Sequence, residues 1–160
     1  MLEDRLATTE KFVAFEKENI NTYSIEFASI IFDCCNLING FCSELCREAD
    51  INKKNLNITD FKKYLLENKY NTDTCVYCRG FKCQPWENFK SEETKISWWE
   101  DYNLIKHTGE INFHKATLKN AISSMAGMFL LLFENDMIHS GSTMCNWHGL
   151  FDYAGNIFDN

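Results

Sequence analysis

The sequence predicts an all-α domain, a bundle of four to five helices with one irregular crossover loop. Three observations predict it. Proline occurs once and glycine seven times in 160 residues, too few for the many turns of a β sandwich or barrel. Two long segments, near 24–48 and 112–138, carry apolar residues mostly three and four apart, as one face of a helix requires. Between Phe27 and Cys42 the only charge is Asp33, so the first of these segments is predicted to be buried on more than one side.

The length suits a single helical domain over residues 1–160 with a core that needs no staples. A net charge of −7 means that the surface as a whole does not attract nucleic acid, so any contact with RNA must be local. The first twenty residues are charged throughout, from Glu3 to Glu18, which does not read as a secretory signal. The most apolar run, Ala121 to Phe133, falls short of the roughly 20 residues that cross a bilayer. A cytoplasmic chain with no membrane partner is the expectation. In that compartment thiols stay reduced, and Cys34, Cys35, Cys42 and Cys46, inside a helical pattern, read as small hydrophobes.

Element by element, residues 5–20 read as a short amphipathic helix with Phe12, Val13, Phe15 and Ile20 on its apolar side. Ser24 is placed to cap the next helix, to about Glu48, with Ala28, Ile31, Phe32, Cys35, Ile38, Cys42 and Leu45 inward. Thr59 or Asp60 is expected to cap a helix to about Lys69 that buries Phe61, Tyr64 and Leu65. The stretch 71–93 lacks helical period and reads as the crossover, with a β-hairpin around Cys75 to Lys82. Ser97 and Glu100 have capping-box spacing, so a helix should start at Trp98 and end at Gly109 in the left-handed conformation. Asn112 is expected to cap the last helix and Gly141 to close it. Its small residues Ser123, Ser124 and Gly127 let a neighbour approach closely. The aromatic tail (Trp147, Phe151, Tyr153, Phe158) should pack back on the bundle or on a second copy.

The polar residues Asn103, Lys106, His107, His114, Lys115 and Lys119 gather on either side of one turn in an otherwise acidic chain. Trp98-x3-Tyr102-Asn103-x2-Lys106-His107, a short turn, Phe113-x2-Ala116-x-Leu118-x-Asn120 and an apolar helix together resemble bacterial proteins of the HEPN superfamily. Tyr23-Ser24-x-Glu26-Phe27 opening a buried helix, and Pro85-x2-Asn88-Phe89 before the tryptophans, add to the likeness. The resemblance implies an all-α domain, often a homodimer, from toxin–antitoxin, phage-defence or RNA-processing systems. It also implies RNA or a protein such as an antitoxin as partner. Ribonucleases of that superfamily are metal-independent and use Arg-x4–6-His. Here Asn103 and His107 have suitable spacing, but Tyr102 stands where the arginine belongs. Tyrosine cannot supply an always-charged fork for a phosphate, so the active-site pattern is broken.

Catalytic roles would fall to His107 as general base, with Asn103, and Lys106 or Lys115 stabilising the phosphorane charge. Otherwise His107 bonds the last carbonyls of its helix, or lies at a dimer contact. His114, Lys115 and Lys119 are the candidate RNA-binding group, around outward N–H groups at the start of the last helix; a solvated helix face is the alternative. Cys75-x2-Cys78 with Cys83 offers part of a zinc site that Cys145 or His148 would have to complete, or a reversible disulfide; packing thiols are the default, and no metal or cofactor is expected. The aromatics Trp86, Phe89, Trp98, Trp99 and Tyr102, surrounded by Glu92, Glu93, Glu100 and Asp101, read as a core seam rather than a base-stacking platform. The competing function is a non-enzymatic helical protein-interaction module in a homodimer.

Overall fold

Serine 24 does what its position predicts: its hydroxyl accepts the Phe27 N–H at 3.1 Å and starts the helix Ile25–Glu48. In the computed structural model, which describes residues 1–51, 53–92, 94–140 and 149–153, five helices and three short strands follow one another. They are α1 (Leu2–Thr9), α2 (Ile25–Glu48), α3 (Ile58–Glu67), β1 (Val76–Cys78), β2 (Phe81–Cys83), α4 (Ser97–Asn112), α5 (Leu118–Ser140) and β3 (Phe151–Tyr153). The chain is mostly helical, broadly as the all-α expectation has it, and adds a small antiparallel sheet in the order β2-β1-β3.

Helix α1 is shorter than the predicted 5–20 helix. The Thr8 and Thr9 hydroxyls donate to the Asp4 and Leu6 carbonyls, a local alternative to continuing the ladder, and Phe12 beyond them is 83% exposed. A 3-10 turn at Lys17–Asn19 is all the helix that remains there. Arg5 ties α1 to α2, donating to Asp33 at 2.6 Å, Glu26 at 2.9 Å and the Ser29 hydroxyl at 2.9 Å. The buried side of α2 is wide, taking Phe27, Ile31, Cys35, Ile38 and Cys42 as well as Ile30, Cys34 and Cys46. Helix α3 starts two residues early because Asn57 is its cap, accepting the Thr59 N–H at 2.9 Å, while the Asp60 carboxylate accepts the Asn57 N–H in return. Phe61, Tyr64 and Leu65 are buried as predicted.

The hairpin forms at the expected place. Its two-residue turn, Arg79 (φ 47°) and Gly80 (φ 90°), is left-handed at both positions, the backbone whose twist matches a two-residue hairpin. The tail returns to this chain: β3 pairs with β1, and Phe151 stacks on Phe129 of α5 with centroids 5.9 Å apart. Gly141, Trp147 and Phe158 lie outside the described residues.

Helix α4 contradicts three local expectations. Ile96 is its N-cap and Ser97 is already helical, so the Ser97–Glu100 capping box does not form. Nor does Gly109 end it. The helix kinks at Thr108 (φ −141°, ψ 48°) and continues to Asn112. Side chains bridge the kink: the Thr108 hydroxyl donates to the Leu104 carbonyl at 2.9 Å and accepts from Asn112 Nδ2 at 2.7 Å, which also keeps Asn112 from capping the last helix. Thr117 takes that role, its hydroxyl accepting the Asn120 N–H at 3.2 Å.

Helix α5 runs through the core against α2, buried at every residue from Leu118 to Leu131 except the exposed Lys119. The small strip at Ser123, Ser124 and Gly127 is filled from within. A Cβ on Gly127 would stand 2.9 Å from the Trp98 ring, and Trp86 Nε1 donates to the Gly127 carbonyl at 3.2 Å. Trp86, Phe89, Trp98, Trp99 and Tyr102 form the expected core seam, with edge-on or tilted rings 5.1–5.6 Å apart. Ile25–Glu48 and Leu118–His139 are long and apolar enough to cross a membrane, a composition that core helices buried on several sides share.

Candidate functional site

Two groups of polar residues flank the kink of α4. Asn103 and His107, four apart, share a side of α4; Asn103 is half-buried, while Lys106 and His107 are exposed. The Lys106 ammonium lies 5.5 Å from the centre of the Tyr102 ring, within cation–π range. Tyr102 itself is 4% exposed, meets Phe32 edge-on and donates its hydroxyl to Asn36 Oδ1 at 3.2 Å. The residue in the arginine position is therefore a clasp between α4 and α2. The expected bond from His107 to the last helix carbonyls is absent among the described residues, where Thr108 supplies it.

The second group comes together around one depression of about 470 Å³ between the first turns of α4 and α5. His114, Lys115 and Lys119 line it, beside Ser97, Asp101 and Tyr23; Asn103, Lys106 and His107 do not. Lys115 is held: its ammonium donates to Asp101 Oδ1 at 2.6 Å, and Asn120 Nδ2 donates to Asp101 Oδ2 at 2.9 Å and to the Lys115 carbonyl at 2.8 Å. His114 and Lys119 are exposed and have no polar side-chain partner among the described residues.

The start of α5 does not offer outward N–H groups, contrary to expectation. The Leu118 and Lys119 N–H groups donate to the Thr22 and Ile20 carbonyls, each at 2.9 Å. The Tyr23–Thr117 bridge and the Tyr23–Phe113 edge contact lock that segment in place. The start of α4 differs, for Ile96 brings no capping side chain.

A second cavity, of about 500 Å³, adjoins the first and shares Ser97 and Lys119 with it. Its walls come from the 81–88 strip, the start of α4 and the first turns of α5. Sequence reasoning missed it because three separated segments build it; the Pro85–Asn88 motif was its only visible trace.

Of the seven described cysteines, Cys34, Cys35, Cys42, Cys46 and Cys78 are buried, and Cys75 and Cys83 are half-buried. Burial pushes the Cys34, Cys42 and Cys78 thiols up to about 12 and raises Cys35, Cys46 and Cys83 as well. Cys83 Sγ lies 3.6 Å from the Ser123 hydroxyl on α5, whereas Cys78 is buried in β1. Among the described residues no group of three metal-ligating side chains comes together. Cys145 and His148, the candidates to complete a zinc site, lie outside them.

No family model, curated protein or solved structure matches this chain.

Proposed function

We propose that the chain is a HEPN-like helical domain, associated with toxin–antitoxin or phage-defence systems in the cytoplasm, that binds RNA at the corner between α4 and α5. One observation carries the reading: His114, Lys115 and Lys119 surround a single depression in a protein whose net charge is −7. Local cation density, not global charge, is what attracts a phosphate backbone to such a surface. Cleavage is not part of the proposal. Tyr102 is a buried clasp, so the charge fork that would hold a scissile phosphate is missing, although Asn103, Lys106 and His107 remain accessible along α4 for backbone contacts.

The competing reading is a non-enzymatic protein-interaction module, alone or as a homodimer. It is favoured by large apolar side chains left exposed, with Phe12 at 83%, Ile25 at 78% and Ile111 at 76%.

Fluorescence anisotropy with a labelled single-stranded RNA separates the two. RNA binding that falls at higher salt and weakens about tenfold in a His114→Ala, Lys119→Ala double variant supports the corner. Indifference to RNA in wild type and variant alike leaves the interaction module. Incubating the same RNA with wild type and His107→Ala tests cleavage directly; loss of wild-type cleavage in the variant refutes a binding-only role.

A further inference from the structure

We propose that β2 is a docking edge for a partner protein, which adds an extended segment there and seats one apolar side chain in the cavity of about 500 Å³ alongside. The residue next to the apolar one in that segment is acidic. This does not depend on RNA binding at the corner; it gives the interaction reading a definite surface.

The edge comes first. In the order β2-β1-β3, β2 has a strand on one side only. Cys78 and Phe81 close a two-residue hairpin as a hydrogen-bonded pair, so the next pair, Tyr77 and Lys82, is not hydrogen-bonded. The Lys82 N–H and carbonyl therefore point away from β1, and neither has a partner among the described residues. Gln84 repeats that orientation: its carbonyl accepts the Glu87 N–H at 3.0 Å, while its own N–H is left over. Outward main-chain donors and an acceptor along one edge are what an added strand pairs with.

Exposed edges are normally blunted, and β2 carries two such devices, its three-residue length and a lysine. What offsets them is the ground beside the edge. Phe81 to Pro85 form one wall of the cavity, and Ile96, Trp98 and Ile122 its apolar floor. Trp98 is fixed there, its Nε1 donating to the Pro85 carbonyl at 2.6 Å. Cys83 shows which face of the sheet turns that way: its Sγ lies 3.6 Å from the hydroxyl of Ser123 on α5, which also lines the cavity. A strand laid along β2 continues the sheet over this floor and turns every second side chain toward it.

Charge selects the partner. Lys82 lies on the outer face, paired with Tyr77, so its neighbour on the added strand is the residue next to the buried apolar one. Lys82 and Lys119 are exposed, line the cavity and have no ion pair among the described residues. Glu87 and Glu100 also line it, from the turn after Pro85 and from α4. A segment paired with β2 and crossing α5 therefore follows the cationic side, which favours an acidic residue and rejects a basic one. A phosphate chain has no row of N–H and carbonyl groups to match the edge.

NMR titration of the isotope-labelled full chain tests this with a blocked hexapeptide of alternating threonine and valine, in which one glutamate adjoins one phenylalanine. Three altered peptides are the controls: glutamine for the glutamate, alanine for the phenylalanine, and N-methylation of the amides that would face β2. The Lys82 and Gln84 amide signals should move most, with a Kd below about 1 mM. N-methylation should weaken binding at least about tenfold, and loss of the ring or of the charge roughly three- to tenfold. Lys82→Pro removes the outward N–H at an edge position where proline is tolerated. It should weaken the peptide about tenfold while leaving oligoribonucleotide binding at His114 and Lys119 unchanged. No binding, equal binding of the N-methylated peptide, or signals that move elsewhere, as beside Phe12, overturns the docking edge. Should Lys82→Pro lose the near-ultraviolet signal of the folded chain, the N-methylated peptide on wild type decides alone. Peptide binding without oligonucleotide binding keeps the edge and removes the corner reading; the reverse result removes the edge.

Discussion

Adding one methyl group at Gly127 tests whether the tryptophan seam is as rigid as its hydrogen bonds imply. In Gly127→Ala the new Cβ would lie 2.9 Å from Trp98 Cζ2, 3.3 Å from Cη2 and 3.5 Å from Trp86 Cζ2. Two opposed effects follow. Alanine in a helix interior is favoured over glycine by about 1 kcal/mol, which alone would stabilise the variant. Overpacking a filled core costs about 1–3 kcal/mol. Trp98 cannot yield freely, because its indole N–H is tied to the Pro85 carbonyl and its ring lies between Trp86 and Trp99. The clash is therefore expected to win by about 1 kcal/mol. For a chain of this size that is a fall of roughly 2–4 °C in Tm. Urea denaturation should show a lower midpoint with unchanged slope, and near-ultraviolet circular dichroism a changed tryptophan signal. A variant more stable than wild type, with an unaltered tryptophan signal, would refute the rigid-seam argument.

Other consequences are equally open to measurement. Asn57→Ala should destabilise by about 1 kcal/mol as a lost cap, whereas Thr59→Ala should stay within about 0.5 kcal/mol; equal effects in urea titrations would contradict the observed start of α3. Asp101→Ala removes one of the two acceptors of the Asn120 amide, which is 5% exposed, and frees Lys115; a loss of about 1–2 kcal/mol is expected, and none would show that the corner is not built around this carboxylate. The thiols give a pH dependence. Cys34, Cys42 and Cys78 ionise at about 12 when folded against an ordinary value of 9.0, so on raising pH the unfolded state loses these protons first. Their contribution is whole below about pH 9 and is lost as pH climbs toward 12, at up to about 1.4 kcal/mol per pH unit for each thiol. Urea midpoints between pH 8 and 10.5 should fall accordingly, less steeply in Cys42→Ala; parallel curves would refute the assignment.

What the sequence made legible follows from range. Helix α2 was readable end to end because its cap, its three-and-four spacing and its sparse charge all act within a turn or two. The start of α3 slipped because Thr59 and Asp60 are adequate caps in isolation, and only the reciprocal Asn57–Asp60 bonds decide between them. Strand β3 was not readable: three residues carry almost no period, and its partner β1 lies far away along the chain. Gly109 looked like a helix end because glycine so often is one, yet Thr108 absorbs the irregularity through its own side chain. At the site, His114, Lys115 and Lys119 were legible as a group, being neighbours in sequence. The adjoining cavity was not, since no local pattern links the 81–88 strip to the first turn of α5.

The position of Lys119 is where stability and binding pull apart. A lysine in the first turn of a long helix faces the positive end of the helix dipole, which is unfavourable by about 0.3–1 kcal/mol. Lys115 meets the same field but is neutralised by Asp101. Lys119 has no ion pair among the described residues, and the N–H groups of Leu118, Lys119 and Asn120 are already occupied by Thr22, Ile20 and Thr117. The fold thus satisfies the start of α5 without Lys119 and gains nothing local from its charge. It also leaves the start of α4, across the shared boundary at Ser97, without a capping side chain. Glu100 in the first turn of α4 already meets the positive end there, so Lys119 is the charge an anionic ligand would relieve. Lys119→Ala is therefore expected to raise stability by about 0.3–1 kcal/mol while weakening oligonucleotide binding, both followed on the same preparation by urea denaturation and fluorescence anisotropy. If the substitution destabilises the chain instead, Lys119 serves the fold, and its charge no longer argues for a ligand.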